Sequence, residues 1–172
     1  RAAPGGFVLD QPAIEGQPAA EGAFAITTDD PAAKVNLAWF RGRRSDVLSM
    51  VWQSAARGEA PERPAVAEGE PSPGGSLAVP FTLQPGEEKV IRIHLTWYVP
   101  QTSLRQGHDA APGASSSCGC ASCCGDEVAP AATHRPWYAG AFDSIEAITA
   151  YFQSEYDQLR TSSARFSDCF YD

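Results

Sequence analysis

The sequence predicts a mainly β fold with α-helix: an antiparallel β-sandwich segment followed by one long C-terminal helix. Before residue 100, apolar residues alternate with polar ones in several short stretches, which is the period of half-buried strands. After residue 143, apolar residues recur every three or four positions, which is the period of an amphipathic helix. The chain has 172 residues, enough for one domain with a real core.

Composition and charge exclude several classes of protein. The chain is 43% hydrophobic and 20% charged, which is ordinary globular usage and argues against wholesale disorder. Its net charge of −8 comes without a basic stripe, so we expect no nucleic-acid partner. No run approaches the ~18 consecutive apolar residues of a membrane-spanning helix, so we expect no transmembrane segment.

Two strands and a short helix are predicted in the first third of the chain. Residues 22–28 (GAFAITT) and 34–40 (KVNLAWF) both alternate apolar and polar or small side chains. Residues 46–57 then change to helical spacing, with Ser45 or Asp46 as the N-cap and Gly58 as the stop.

The clearest local pattern is a β-hairpin over residues 77–99. Its first strand places apolar side chains on one face at Leu77, Val79, Phe81 and Leu83. Its second strand does the same at Ile91, Ile93, Leu95, Trp97 and Val99. The polar positions of that strand, His94 among them, occupy the other face, where we expect an exposed or hydrogen-bonded histidine. Between the strands, residues 84–89 (QPGEEK) have the composition of a turn. We expect the apolar face of the hairpin to pack on a partner sheet.

A single helix is predicted from Asp143 almost to the C-terminus. Asp143 and Glu146 have the spacing of a capping box, and no Gly or Pro interrupts residues 141–172. The apolar stripe of this helix comprises Ile145, Ile148, Phe152, Tyr156, Leu159, Phe166 and Phe170. At ~1.5 Å per residue such a helix is about 43 Å long, which exceeds what this small domain needs, so we expect its far end to pack on another part of a longer protein.

The order of these segments resembles the N-terminal domain of glycoside hydrolase family 116, which includes bacterial β-glucosidases and non-lysosomal glucosylceramidases. The resemblance lies in residues 83–97 (LQPGEEKVIRIHLTW), in the Trp-x-x-Pro of residues 97–100, and in residues 137–142 (WYAGAF) at the start of the helix. The strand over residues 22–26 and the helix around Trp52 are also similar to that family.

The resemblance implies a partial β-sandwich domain over residues 1–140, in which we expect the loops at 59–75 and 101–135 to be disordered or variable. It also implies a helix over residues 141–172 that leads toward an (α/α)6 barrel absent from this chain. In the family the barrel supplies the catalytic glutamate and aspartate. No residue of this chain matches those positions, so we assign no catalytic and no cofactor-binding residue here. The expected partners are that barrel and, through it, a glucoside or glucolipid substrate.

A cluster of cysteines departs from the family pattern. Cys118, Cys120, Cys123 and Cys124 are dense enough to hold Zn²⁺, which prefers thiolate ligands, but a second ligand pair is missing. Free thiols or disulfides remain alternatives. Because four of the five cysteines cluster and Cys169 is alone, a reducing, cytoplasmic location is favoured over secretion.

A second candidate site combines planar aromatic rings with hydrogen-bond donors. His134, Trp137 and Tyr138 have the composition of a sugar-facing surface, because aromatic faces stack on pyranose rings, although such rings also pack against sheets. The function predicted from the sequence is therefore a non-catalytic N-terminal domain of a β-glucoside or glucosylceramide hydrolase. The alternative is a free-standing carbohydrate-binding or protein-interaction module with a Cys-rich metal loop.

Overall fold

The computed structural model describes residues 1–42, 46–104 and 133–171. Antiparallel strands in two sheets, followed by C-terminal helices, confirm the predicted fold class. The strands are β1 (Ala2–Ala3), β2 (Gly6–Gln11), β3 (Gly22–Thr28), β4 (Lys34–Asn36), β5 (Ser76–Ala78) and β6 (Ile93–Tyr98). The helices are a 3-10 turn (Pro18–Ala20), α1 (Val47–Ala56), α2 (Trp137–Ala141), α3 (Ile145–Ser154) and α4 (Tyr156–Tyr171).

The larger sheet has the strand order β1-β2-β3-β6, and all of its pairs are antiparallel. Strand β3 lies in the middle, with Ile26 opposite Phe7 on β2 and Leu95 on β6. The tight turn from β1 to β2 requires glycine, because Gly5 has a φ of +67° and a Cβ on Gly6 would lie 1.9 Å from the carbonyl oxygen of Ile26.

The smaller sheet corrects the predicted hairpin. Strand β5 pairs with β4, with Val35 opposite Leu77, whereas β6 pairs with β3. The expected pairing of the two hairpin strands with each other is therefore wrong. The turn itself is confirmed: Glu87 N donates to the carbonyl oxygen of Gln84 (3.0 Å), and Gly86 has a φ of +85°.

The faces of β6 are the reverse of what its apolar alternation predicts. His94 and Thr96, on the polar face, are only 1% and 5% exposed because α3 covers them. Ile93, Leu95 and Trp97, on the apolar face, are more than half exposed. The polar face of the sheet is therefore packed on α3. Its apolar face is open along β6 but covered at Phe7 on β2, which is 3% exposed and lies against Gly75.

Helix α3 packs on the polar face of the larger sheet through a small apolar core surrounded by polar contacts. Val8, Ala25 and Ile145 form the buried centre. Around it, Gln153 Nε2 donates to the Thr27 hydroxyl (3.0 Å), and the His94 ring meets Phe152 edge-on at 5.4 Å. Buried polar groups need partners, so this interface depends on geometry more than an apolar one would.

His94 is the largest fully buried polar side chain of that interface. Its Nε2 lies 3.3 Å from Asp29 Oδ2, which confirms a hydrogen-bonded histidine but places it in the interior. Its Nδ1 and the hydroxyl of Thr96 have no hydrogen-bond partner among the described residues. Tyr156, at the start of α4, also meets the ring edge-on at 5.7 Å, so His94 contacts both C-terminal helices.

Ion pairs at the first residue connect the sheet to α3. The Arg1 guanidinium lies 2.8 Å from Asp10 Oδ2 on β2 and also contacts the Glu146 carboxylate on α3. The pKa of Glu146 is lowered, first by its own backbone N–H at the helix start and then by Arg1. Both effects favour the charged carboxylate that faces Arg1.

The C-terminal helical run is confirmed, but its cap and continuity differ from the prediction. The N-cap of α3 is Ser144, whose hydroxyl accepts from Ala147 N (3.2 Å), one residue later than the predicted Asp143. The run divides at Glu155, whose φ of −100° and ψ of 6° leave the helical region. Glu155 N still donates to Tyr151 O (3.0 Å), so the break is a local bend between α3 and α4.

Helix α1 was predicted correctly. Asp46 is its N-cap, and the carboxylate accepts from Leu48 N and Ser49 N (3.2 Å each). A hydrogen bond from the Ser49 hydroxyl, followed by those from the two backbone N–H groups, lowers the pKa of Asp46. Gly58 follows the helix with a φ of +68°, which is the expected glycine stop.

Candidate functional site

The predicted sugar-facing residues lie at the start of α2 and just before it. His134 N donates to Thr102 O and Thr102 N donates to His134 O, each at 2.9 Å. This reciprocal pair fixes the backbone of His134 beside the end of β6. Pro136 then serves as the N-cap residue of α2, which begins at Trp137.

Tyr138 is held by the sheet. Its hydroxyl accepts a hydrogen bond from Val99 N and donates one to Val99 O, both at 3.2 Å. Its ring also meets Tyr98 edge-on at 6.5 Å. Both hydrogen-bonding functions of the hydroxyl are thus used by the backbone, which makes Tyr138 an anchor of α2 to the residue that follows β6.

Trp137 has the opposite environment. Its side chain is 84% exposed, and its ring stands edge-on to Tyr138 at 6.3 Å. A side chain of this size at this exposure leaves an apolar ring face in water. The ring is therefore available to stack on a ligand, with Tyr138 as its fixed neighbour.

His134 lines a shallow cleft of about 260 Å³, and neither Trp137 nor Tyr138 is among its lining residues. The other lining residues are Tyr98, Pro100, Gln101, Thr133 and Arg135. Gln101 and Thr133 are joined by a hydrogen bond of 3.0 Å, and the Arg135 guanidinium lies 3.4 Å from Asp143 Oδ1.

Two of the three predicted residues therefore lie at the surface, and the third hydrogen-bonds to the backbone of Val99. His134 and Trp137 are exposed, whereas Tyr138 is half-buried. The sequence did not indicate that Gln101 and Thr133 lie beside His134. They are far apart in the chain and are brought together by the backbone hydrogen bonds between Thr102 and His134. An open indole face can stack on a sugar ring, and nearby hydrogen-bond donors can orient it.

A second exposed surface lies on α4. Phe166 and Phe170 stand one turn apart with ring centroids separated by 4.8 Å, and both are about two-thirds exposed. We call the pair Phe166 and Phe170 the α4 stripe. Large aromatic side chains grouped at the surface indicate a contact with another protein surface.

The predicted metal ligands Cys118, Cys120, Cys123 and Cys124 lie outside the described residues, so a zinc site there stays a prediction. Cys169 is exposed on α4. Within residues 1–42, 46–104 and 133–171, no three His, Cys, Asp or Glu side chains are grouped closely enough to hold a metal ion.

Comparison with known protein families gives one match. A family model described as "beta-glucosidase 2, glycosyl-hydrolase family 116 N-term" matches residues 2–159. Searches of curated proteins and of solved structures find no significant match. Among the described residues, none of the helices combines the length and the apolar character needed to cross a membrane.

Proposed function

The chain belongs to the N-terminal domain family of glycosyl hydrolase family 116, and on that premise we propose that it is a non-catalytic domain that supports the catalytic barrel of a β-glucoside hydrolase. The substrates of the parent enzyme are β-glucosides or glucosylceramide under this proposal. The Cys-rich loop and the cytoplasmic location remain secondary predictions within it.

The observation that carries the proposal is the α4 stripe. Phe166 and Phe170 expose most of their rings on the last helix of the chain, and α4 has no buried residue of its own. A helix with an apolar stripe is stabilised mainly by packing that stripe on another surface. We infer that the catalytic barrel of the parent enzyme covers this stripe.

The test introduces charge into the stripe of the whole parent enzyme. Phe166→Asp combined with Phe170→Asp would place two carboxylates in an apolar contact, which lowers the thermal unfolding temperature and the rate of aryl β-glucoside hydrolysis. Ala164→Asp is the matched control, because Ala164 is exposed on the opposite side of the same helix.

A second measurement separates an interface effect from a local one. In the isolated 172-residue chain the stripe is already exposed, so the double variant is expected to unfold at nearly the same temperature as the wild type. The proposal is wrong if the double variant and Ala164→Asp behave alike in the parent enzyme.

The exposed ring of Trp137 favours a second candidate function, carbohydrate binding by this domain. The exposed indole face offers stacking, and His134 and Arg135, three and two residues earlier in the chain, offer hydrogen-bond donors. Titration of the isolated chain with cellobiose, followed by NMR, tests it.

The expected result for this candidate is saturable binding that Trp137→Ala abolishes. Trp52→Ala is the control, because Trp52 is exposed to a similar degree on α1. Equal loss in both variants, or no saturation with the wild type, would exclude the sugar-binding function.

A further inference from the structure

A cleft of about 230 Å³ lies between the smaller sheet and α1, and none of its lining residues belongs to α4. Its floor is one face of the β4-β5 pair, where Asn36 stands opposite Ser76 and Lys34 stands opposite Ala78. Its other side is formed by Val51 and neighbouring residues of α1. The floor is thus polar, and the helix above it contributes mostly apolar side chains.

The wall of this cleft is an indole ring held in one position. Trp39 Nε1 donates to Ser76 Oγ (2.6 Å), and its backbone N donates to Ser72 Oγ (3.0 Å). Gly74 lies against the ring, since a Cβ there would come within 2.5 Å of it. A wall fixed in this way loses little conformational entropy when a ligand packs on it.

Two cationic residues, Lys34 and Arg63, are among those that line the same cleft. The main chain of Arg63 makes two hydrogen bonds at β4. Arg63 N donates to Val35 O (3.1 Å), and Leu37 N, directly after β4, donates to Arg63 O (2.9 Å). Among the residues that the structure describes, neither Lys34 nor Arg63 has a carboxylate oxygen within 4.0 Å. Both charges therefore lack an ionic partner in that part of the chain.

The remaining polar groups do not reverse this positive balance. Asn36 Oδ1 accepts from Ala38 N (3.1 Å), which leaves the amide NH₂ as its unused function. The single carboxylate among the lining residues, Glu59, lies 3.9 Å from the Arg57 guanidinium. The cleft thus combines an apolar wall and roof with two cations and an amide donor.

From this geometry we propose that the cleft binds a small organic anion, a carboxylate on an apolar or aromatic body. The carboxylate would be held by Lys34 and Arg63, and the body would pack between Trp39 and α1. Charged hydrogen bonds from a guanidinium to a carboxylate are stronger than neutral ones. A neutral sugar would leave the two cations without charge complementarity, and the volume is below the roughly 300 Å³ at which drug-sized sites begin, so a single-ring ligand is expected.

The test uses the full chain and two probes of nearly equal shape, phenylacetate and its neutral amide, phenylacetamide. Binding is followed by NMR chemical shifts and by calorimetry. Phenylacetate is expected to saturate the site with shifts at Trp39, and phenylacetamide to bind about tenfold or more weakly, because it lacks the charge.

Variants localise the effect. Arg63→Gln is expected to weaken phenylacetate binding about tenfold without unfolding the chain, since the two hydrogen bonds of Arg63 to Val35 and Leu37 are made by its backbone. Lys34→Gln is a second variant at an exposed position, and Arg165→Gln, on α4, is the matched control that leaves binding unchanged.

Three results would overturn the proposal: no saturable binding of phenylacetate, equal binding of phenylacetamide, or equal affinity in Arg63→Gln, Lys34→Gln and Arg165→Gln. None of these results bears on the contact between α4 and a catalytic barrel, so this proposal and the proposed function stand or fall separately.

Discussion

Two alanine substitutions on opposite sides of the sheet test which face of it is the core. Ile145 is 3% exposed and packs on Val8 and Ala25, whereas Leu95, on the other face, is 54% exposed. Simple alternation in β6 predicts the reverse, because it places Leu95 on the apolar, core-like face. The free energies of unfolding of Ile145→Ala and Leu95→Ala therefore distinguish the two arrangements.

The expected magnitudes follow from burial. Truncating a fully buried isoleucine to alanine costs about 2–5 kcal/mol, because the lost transfer energy is joined by a cavity term. Full burial of a leucine side chain contributes roughly 1.5–3 kcal/mol, so a side chain that is 54% exposed contributes about half of that. We expect Ile145→Ala to destabilise the isolated chain by about 3 kcal/mol and Leu95→Ala by about 1 kcal/mol.

Urea unfolding of the isolated chain, followed by far-ultraviolet circular dichroism, measures both values, and an unchanged m-value confirms that the comparison is valid. Leu48→Ala serves as the control, because Leu48 is 67% exposed on α1. If Leu95→Ala costs as much as Ile145→Ala, the apolar face of β6 is buried in solution and the assignment of faces is refuted.

Three further predictions concern caps, anchors and pH. Ser144→Ala removes the N-cap hydrogen bond of α3 and is expected to cost about 1 kcal/mol in urea unfolding, whereas Ser144→Asp retains the cap; equal loss in both would contradict the capping role. Tyr138→Phe removes both hydrogen bonds to Val99 and is expected to cost about 1–2 kcal/mol; an unchanged midpoint would show that the hydroxyl is not an anchor. The pKa of Asp30 lies below its usual 3.8 because Lys89 and a backbone N–H bind the carboxylate. The stabilisation from the charged carboxylate is therefore present above pH 3.8 and is lost as the pH falls through the lowered pKa. Between about pH 6 and pH 3 the thermal unfolding temperature should fall less in Asp30→Asn than in the wild type.

The sequence predicted local structure well where the determinants are local. The cap of α1 at Asp46, its stop at Gly58 and the turn at Gly86 all depend on residues close in the chain, and all three were predicted correctly. The bend at Glu155 was missed, because neither glycine nor proline marks it.

Pairing and burial could not be predicted in the same way. A period of two separates the faces of β6 but does not reveal that α3, some fifty residues later, covers His94 and Thr96. The pairing of β5 with β4 likewise depends on contacts across about forty residues. Both errors arose because the alternation of residues within one strand was used to predict which distant strand or helix packs on it.

The candidate sites show the same division. His134 and Trp137 were proposed from composition, because the sequence shows an aromatic residue next to hydrogen-bond donors, and their role in sugar binding stays a prediction. The cleft under α1 was missed, because Lys34, Trp39 and Arg63 share no motif and are brought together only by the smaller sheet.

The size of the native polypeptide tests the central claim most directly. An antibody raised against this chain is used to blot and to precipitate the protein from its source, and the precipitate is assayed for aryl β-glucoside hydrolysis. If the chain is the supporting domain of a β-glucoside hydrolase, the band is several times larger than 18.3 kDa and the precipitate is active. A band near 18.3 kDa without activity would contradict the claim, because no catalytic barrel would then be attached to this domain.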